Sequence, residues 1–162
     1  MKRKVLVGLC ASLLTLSLVG CSSTPKEEAP AKEKPKTEET ASGMKDGVYE
    51  AETKDADENG GKARVSVKVE SGKIVEASYN EFTDDGDKRA NEGYNKMMKE
   101  KSGTNPSEYE PAIEKQIVEA QSAEIDGVTG ATHSSTKAKT LFGAALKNAN
   151  EGKTEKEVVE VK

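Results

Sequence analysis

Apolar and polar positions alternate most regularly at residues 63–70, where Ala63, Val65, Val67 and Val69 take turns with Arg64, Ser66, Lys68 and Glu70. A period of two puts each set on its own face of a β-strand. Ser71-Gly72 offers a tight turn, and Val75, Ala77 and Tyr79 alternate with polar residues in the next strand. Residues 48–53, just after Asp46-Gly47, also have strand character, so the first half of the folded region reads as a short antiparallel meander. The spacing then becomes helical. Ala90, Tyr94, Met97 and Met98 share one face, with Gly103 as a stop. Asn105-Pro106 begins a new segment, and a second helix is predicted near residues 111–122, with Ile113, Ile117 and Ala120 inward and Pro111 in its first turn. A third helix starts around residues 134–136. Its Ala138, Leu141, Phe142, Ala145 and Leu146 follow the i, i+3, i+4, i+7, i+8 pattern, and Asn150 or Gly152 ends it. The tail, residues 151–162, either adds an edge strand through Val158, Val159 and Val161 or stays loose. The expected class is α+β, a small antiparallel sheet packed by helices, in one domain over residues 46–150.

The apolar run at residues 5–19 belongs to something else. It follows Met1-Lys2-Arg3-Lys4 and ends at Leu18-Val19-Gly20-Cys21, the pattern of a signal peptide (residues 1–20) with a lipid-attachment box. It is shorter than the ~20 residues of a comfortable transmembrane span. Cleavage before Cys21 leaves a thiol to take a diacylglycerol, and two acyl chains hold a protein on a membrane stably. Residues 21–45 are then the lipidated cysteine and a Lys-, Glu-, Pro- and Thr-rich tether with too little apolar surface to fold. The only cysteines are Cys10 and Cys21. Once the first is removed and the second lipidated, disulfides, Cys-ligated zinc, iron–sulfur clusters and attached haem are excluded. With 25 Lys and Arg against 29 Asp and Glu, and no basic block, nucleic acid is not an expected partner.

The stretch most suited to chemistry is Asp126-Gly127-Val128-Thr129-Gly130-Ala131-Thr132-His133-Ser134-Ser135. It is rich in hydroxyls and glycine and feeds a helix N-terminus, where exposed N–H groups and the helix dipole favour a phosphate. On physical grounds alone the same residues also suit a turn with Ser or Thr caps.

The Asp-x-x-Thr-Gly-Ala-Thr run at residues 126–132 is similar to the flavinylation motif of the FMN-binding domain family, which includes the periplasmic flavin subunits of the sodium-pumping NADH:quinone reductase and of the related Rnf complex. The resemblance extends to the meander and both following helices. Within the family the chain looks most like the flavin lipoproteins of Gram-positive extracellular electron transfer, several of which carry two such domains where this chain has one. The likeness implies that a flavin:protein FMN transferase, using FAD and Mg²⁺, esterifies FMN to the hydroxyl of Thr132. Asp126, Thr129, Gly130 and Ala131 are carried over as recognition and loop-shape residues, although the Thr129 hydroxyl equally suits a turn bonded to its own backbone. Of the residues that follow, Ser134 is a cofactor-binding candidate, and His133 either hydrogen-bonds the FMN phosphate or a flavin oxygen or is an exposed neighbour with no special role. The implied protein is an electron carrier rather than a self-contained enzyme. It stands on the outer face of the cytoplasmic membrane, takes electrons from a membrane NADH dehydrogenase or quinol system and gives them to extracellular acceptors. A covalent flavin suits that place, because it stays at an effective concentration of roughly millimolar instead of diffusing away.

Two other readings remain open: a flavin subunit of a membrane respiratory complex, and a redox-inactive ligand-binding or pheromone-precursor lipoprotein, since residues 13–20 resemble a released peptide pheromone. Stacking partners for a flavin come from Tyr49, Tyr79, Tyr94, Tyr109, Phe82 or Phe142. Residues 55–60, Asp-Ala-Asp-Glu-Asn-Gly, imitate half a calcium loop, but Ser66 stands where its bidentate acid belongs. One histidine cannot build a metal site alone, so no metal is expected.

Overall fold

The computed structural model describes residues 43–58 and 60–161. The expected signal peptide, Cys21 and the tether up to residue 42 lie outside them. Strands β1 (Gly47–Thr53), β2 (Lys62–Glu70) and β3 (Lys73–Thr83) form the meander, followed by the two-residue β4 (Gly86–Asp87). The alternation in β2 is realised fully: Ala63, Val65, Val67 and Val69 are all buried. Ser71 and Gly72 close the hairpin with φ of 52° and 70°. Two left-handed residues give the turn a twist that matches the flanking strands. The third strand departs from its predicted alternation. Its register against β2 slips after Lys68↔Glu76, leaving Val75 as an extra residue. The bulge turns Val75 outward, 46% exposed, and brings Ile74 into the core instead.

Three helices follow: α1 (Glu92–Ser102), α2 (Pro106–Ala120) and α3 (Thr132–Glu151). Helix α1 begins after Ala90, because the Asn91 side chain accepts from the Tyr94 N–H and caps it there. It buries no residue fully. Helix α2 starts earlier than expected, with Asn105 as its cap and Pro106 in the first turn, so Pro111 lies inside the helix. Ile113 and Ile117 are buried as predicted, whereas Ala120 is exposed and Tyr109 and Glu110 point inward. Helix α3 buries Ala138, Leu141, Phe142, Ala145 and Leu146 and ends at Gly152 in the left-handed conformation. The tail does add a strand. β5 (Glu157–Val159) pairs parallel with β1, so the sheet is mixed, in the order β4-β3-β2-β1-β5.

The core lies between one face of this sheet and helices α2 and α3, around Tyr49, Tyr79, Ile113, Ile117, Leu141 and Phe142. Met44 packs against it and the Lys45 N–H donates to the Ala149 carbonyl, so ordered contacts begin just before Asp46. Side chains of α2 cover the outer edge of β3. Gln121 accepts from the Ile74 N–H and donates to its carbonyl, Glu114 accepts from the Tyr79 N–H, and Glu110 from that of Glu81. An edge satisfied in this way cannot recruit a further strand. No helix among the described residues is long and apolar enough to cross a membrane.

Candidate functional site

The loop between α2 and α3 holds its shape through its backbone. Gln116 of α2 accepts from the N–H groups of Asp126 and Gly127 at 3.1 and 3.3 Å and donates to the Gly127 carbonyl. The Ser135 hydroxyl accepts from the Val128 N–H at 2.9 Å, and the Ala131 N–H closes a turn onto Val128. Ile125 and Ala131 are buried and pin the two ends of the segment to the core. Gly130 has φ of 81° and lies against the Ser102 carbonyl at the end of α1, with which a Cβ would collide. Only glycine combines that backbone with that approach.

Thr132 is the first residue of α3, two residues ahead of the predicted start, and it is exposed. Its hydroxyl makes no hydrogen bond among the described residues. Ala131 before it offers no side-chain cap, and no acid occupies the first turn. The leading N–H groups of a helix lack intrahelical partners, so this end presents uncapped donors and the positive end of the dipole beside a free hydroxyl. Thr129, His133 and Asp126 are also exposed, whereas Ser134 is buried and faces the interior.

Beneath that first turn lies a group of charges that apolar periodicity could not reveal. Glu81, 2% exposed, accepts from the Tyr79 hydroxyl at 2.6 Å and from the Lys88 ammonium at 3.0 Å. Lys137, on the second turn of α3, reaches Asp57 at 2.6 Å and Glu81 at 3.5 Å. Burial alone would push the Glu81 carboxyl up, but Lys137, Tyr79, Lys88 and Ser134 outweigh it and hold its pKa below the ordinary value. Burial and the Glu81 charge raise the Tyr79 phenol well above its usual range. Burial opposes the charge on Lys88, yet Glu81 more than compensates and keeps its pKa raised. Asp57 also accepts from the Gly61 N–H at 2.8 Å, so the calcium-like segment is turned inward as an ion-pair partner. Among the described residues no group of three His, Cys, Asp or Glu could hold a metal ion. The one sequence sign of this cluster was Glu81 falling in register with Ala77 and Tyr79 on the inward face.

The aromatic candidates separate by position. Tyr49, Tyr79, Tyr109 and Phe142 are at most 2% exposed and belong to the core. Phe82 is partly buried beneath the Arg64 guanidinium, 5.5 Å from its ring centre. Tyr94 is left outside the core, half-buried on α1 with the Lys88 ammonium 5.6 Å from its ring centre.

The model of the FMN-binding domain matches residues 59–147, more than half of the chain, from β2 through most of α3. The chain belongs to this family. It is 32% identical over 116 residues to the "15 kDa lipoprotein" of Treponema pallidum (strain Nichols), an alignment covering 70% of this chain and 82% of that one. Among solved structures, the CPE2226 protein of Clostridium perfringens is 50% identical and superposes with a TM-score of 0.72, over 74% of this chain and 99% of that one. The family makes this a flavin-binding protein. The residues fit such a group: uncapped N–H donors at the start of α3 for a phosphate, and an unengaged hydroxyl on Thr132 beside them.

Proposed function

We propose that the chain is a lipid-anchored flavoprotein that carries FMN as a phosphoester on Thr132 and relays electrons on the outer side of the cytoplasmic membrane. The observation that supports this most is the exposed, unbonded Thr132 hydroxyl at an uncapped helix N-terminus, inside the region matched by the family. In the attachment step a flavin transferase directs the Thr132 oxygen onto the FMN phosphorus of FAD. The new P–O bond replaces the pyrophosphate bond, AMP leaves, and the hydroxyl proton goes to solvent or a base of the transferase. The N–H groups at the start of α3 would hold the phosphate, and Gly130, by its close packing on the Ser102 carbonyl, would fix the loop that leads into them. Bound FMN supplies chemistry that accepts electrons in pairs and can release them singly. The donor is a membrane dehydrogenase or quinol system and the acceptors are extracellular. The lipid anchor rests on the Leu-Val-Gly-Cys box ending at Cys21 and agrees with the name of the Treponema relative.

The full chain, co-expressed with an active transferase, should be yellow after denaturation, with FMN mapped to the peptide containing Thr132. Thr132→Ala should fold normally, at a cost of about 1 kcal/mol or less for an exposed hydroxyl, but stay colourless. Thr129→Ala should keep its label on Thr132. Full covalent flavin on Thr132→Ala would falsify the site.

A further inference from the structure

Lys88 does more than its salt bridge requires. An ammonium carries three donors, and the Lys88 side chain, 6% exposed, has one hydrogen bond, to Glu81. Glu81 does not depend on it, being also bound by Tyr79 and approached by Lys137. A buried cation with two unspent donors is costly unless something else meets them. The groups that face it are Glu81, Tyr94 and Asp57, with Lys137 beyond Glu81.

The position of Lys88 links it to Thr132 by two routes. Glu81, its partner, is influenced by Ser134, two residues along α3 from Thr132. Helix α1 provides the second: Tyr94, Met98 and Ser102 form a half-buried strip at i, i+4 and i+8, with Lys88 beside Tyr94 and Gly130 against Ser102. At 1.5 Å per residue the strip is about 12 Å long. A flavin fixed at Thr132, next to Gly130, can lie along it toward Lys88.

Resting on the attachment at Thr132, we infer that Lys88 is the flavin ring's cationic contact and stabilises the reduced ring as an anion. Reduction of the ring by two electrons with uptake of one proton leaves one negative charge, whereas uptake of two protons leaves none. A neighbouring ammonium favours the first outcome and raises the potential; Tyr94 supplies the adjoining aromatic surface.

The test is a dithionite-driven redox titration of the full-length flavinylated chain across pH. The parent should take up one proton per electron pair on the acid side of neutrality, where free FMN takes up two. Lys88→Met should stabilise the reduced form at least tenfold less, a potential lower by about 30 mV for a two-electron couple, with proton uptake moving toward two. Lys88→Arg should stay near the parent, as should Lys99→Met, which removes an exposed lysine of α1 paired with Glu108. Lys88→Met with covalent flavin and the parent's potential would overturn the inference. If Lys88→Met does not fold, two protons per electron pair in the parent at acid pH overturns it equally. A parent lacking covalent flavin by mass instead removes the attachment reading and this inference with it.

Discussion

Glu110 shows how a single buried carboxyl can govern a pH response. It is fully buried, bonded to Arg89 and to the Glu81 N–H at the edge of β3. Burial pushes its pKa up to about 7; Arg89 and the N–H pull it down without cancelling that, and Glu81 adds a small upward push. In the unfolded chain the group titrates near 4.5. Between these values the folded state holds a proton that the unfolded state has released, so stability must fall as pH rises through the window. The shift corresponds to a few kcal/mol at most. The lowered carboxyls, Glu81 and Glu52 among them, act oppositely but only at lower pH, as they protonate. Urea denaturation should therefore show greater stability at pH 5 than at pH 7.5. Glu110→Gln retains an acceptor for the Glu81 N–H and should flatten that slope; an unchanged slope would assign it to another group.

The elements show which parts of the fold the sequence could reveal. Strand β2 and helix α3 were legible because their apolar residues follow one period without interruption. Val75 was misplaced because a bulge shifts the period by one residue, which alternation cannot register. Pro111 drew the start of α2 inward, although Asn105-Pro106 carried the stronger cap-and-proline signal. The loop at residues 126–132 was legible as a motif. Its supports, Gln116 and the Ser102 carbonyl, were not, because they lie on separate helices and bond backbone atoms. The same blindness hid Glu81 and Lys137, charged residues at positions that periodicity reserves for apolar ones, and Lys88, which lies in a turn with no period at all. The contact of Gly130 with α1 gives a test at this level. Gly130→Ala must strain a left-handed backbone and push against a carbonyl, so it should cost about 1–3 kcal/mol and lower flavin content. Gly127→Ala strains the same kind of backbone but would meet the Ser135 side chain at 3.1 Å instead of a backbone carbonyl, and should cost less. Equal urea midpoints for Gly130→Ala and the parent would show that the two helices are not coupled through this contact.

At the scale of the molecule, α3 separates the start of the domain from the proposed attachment site at Thr132. The Lys45 N–H bonds the Ala149 carbonyl and the Lys45 ammonium bonds that of Glu151, whereas Thr132 opens the same helix. Seventeen residues at 1.5 Å each put these ends about 25 Å apart. Within the domain, α2 side chains bond the outer edge of β3 and β5 extends the sheet beyond β1. Both features are formed by described residues, 43–58 and 60–161. Anchoring and flavin chemistry should therefore be separable, and Cys21→Ser is the substitution that separates them. A serine hydroxyl cannot form the diacylglycerol thioether, so the variant should leave the membrane fraction after a salt wash. Its melting temperature should match the parent's, and with the transferase present it should still carry covalent FMN at Thr132. Retention on washed membranes would mean that a different attachment holds the chain there. Loss of flavin with the fold intact would mean that modification requires the membrane, tying together two ends of the molecule that the domain itself keeps apart.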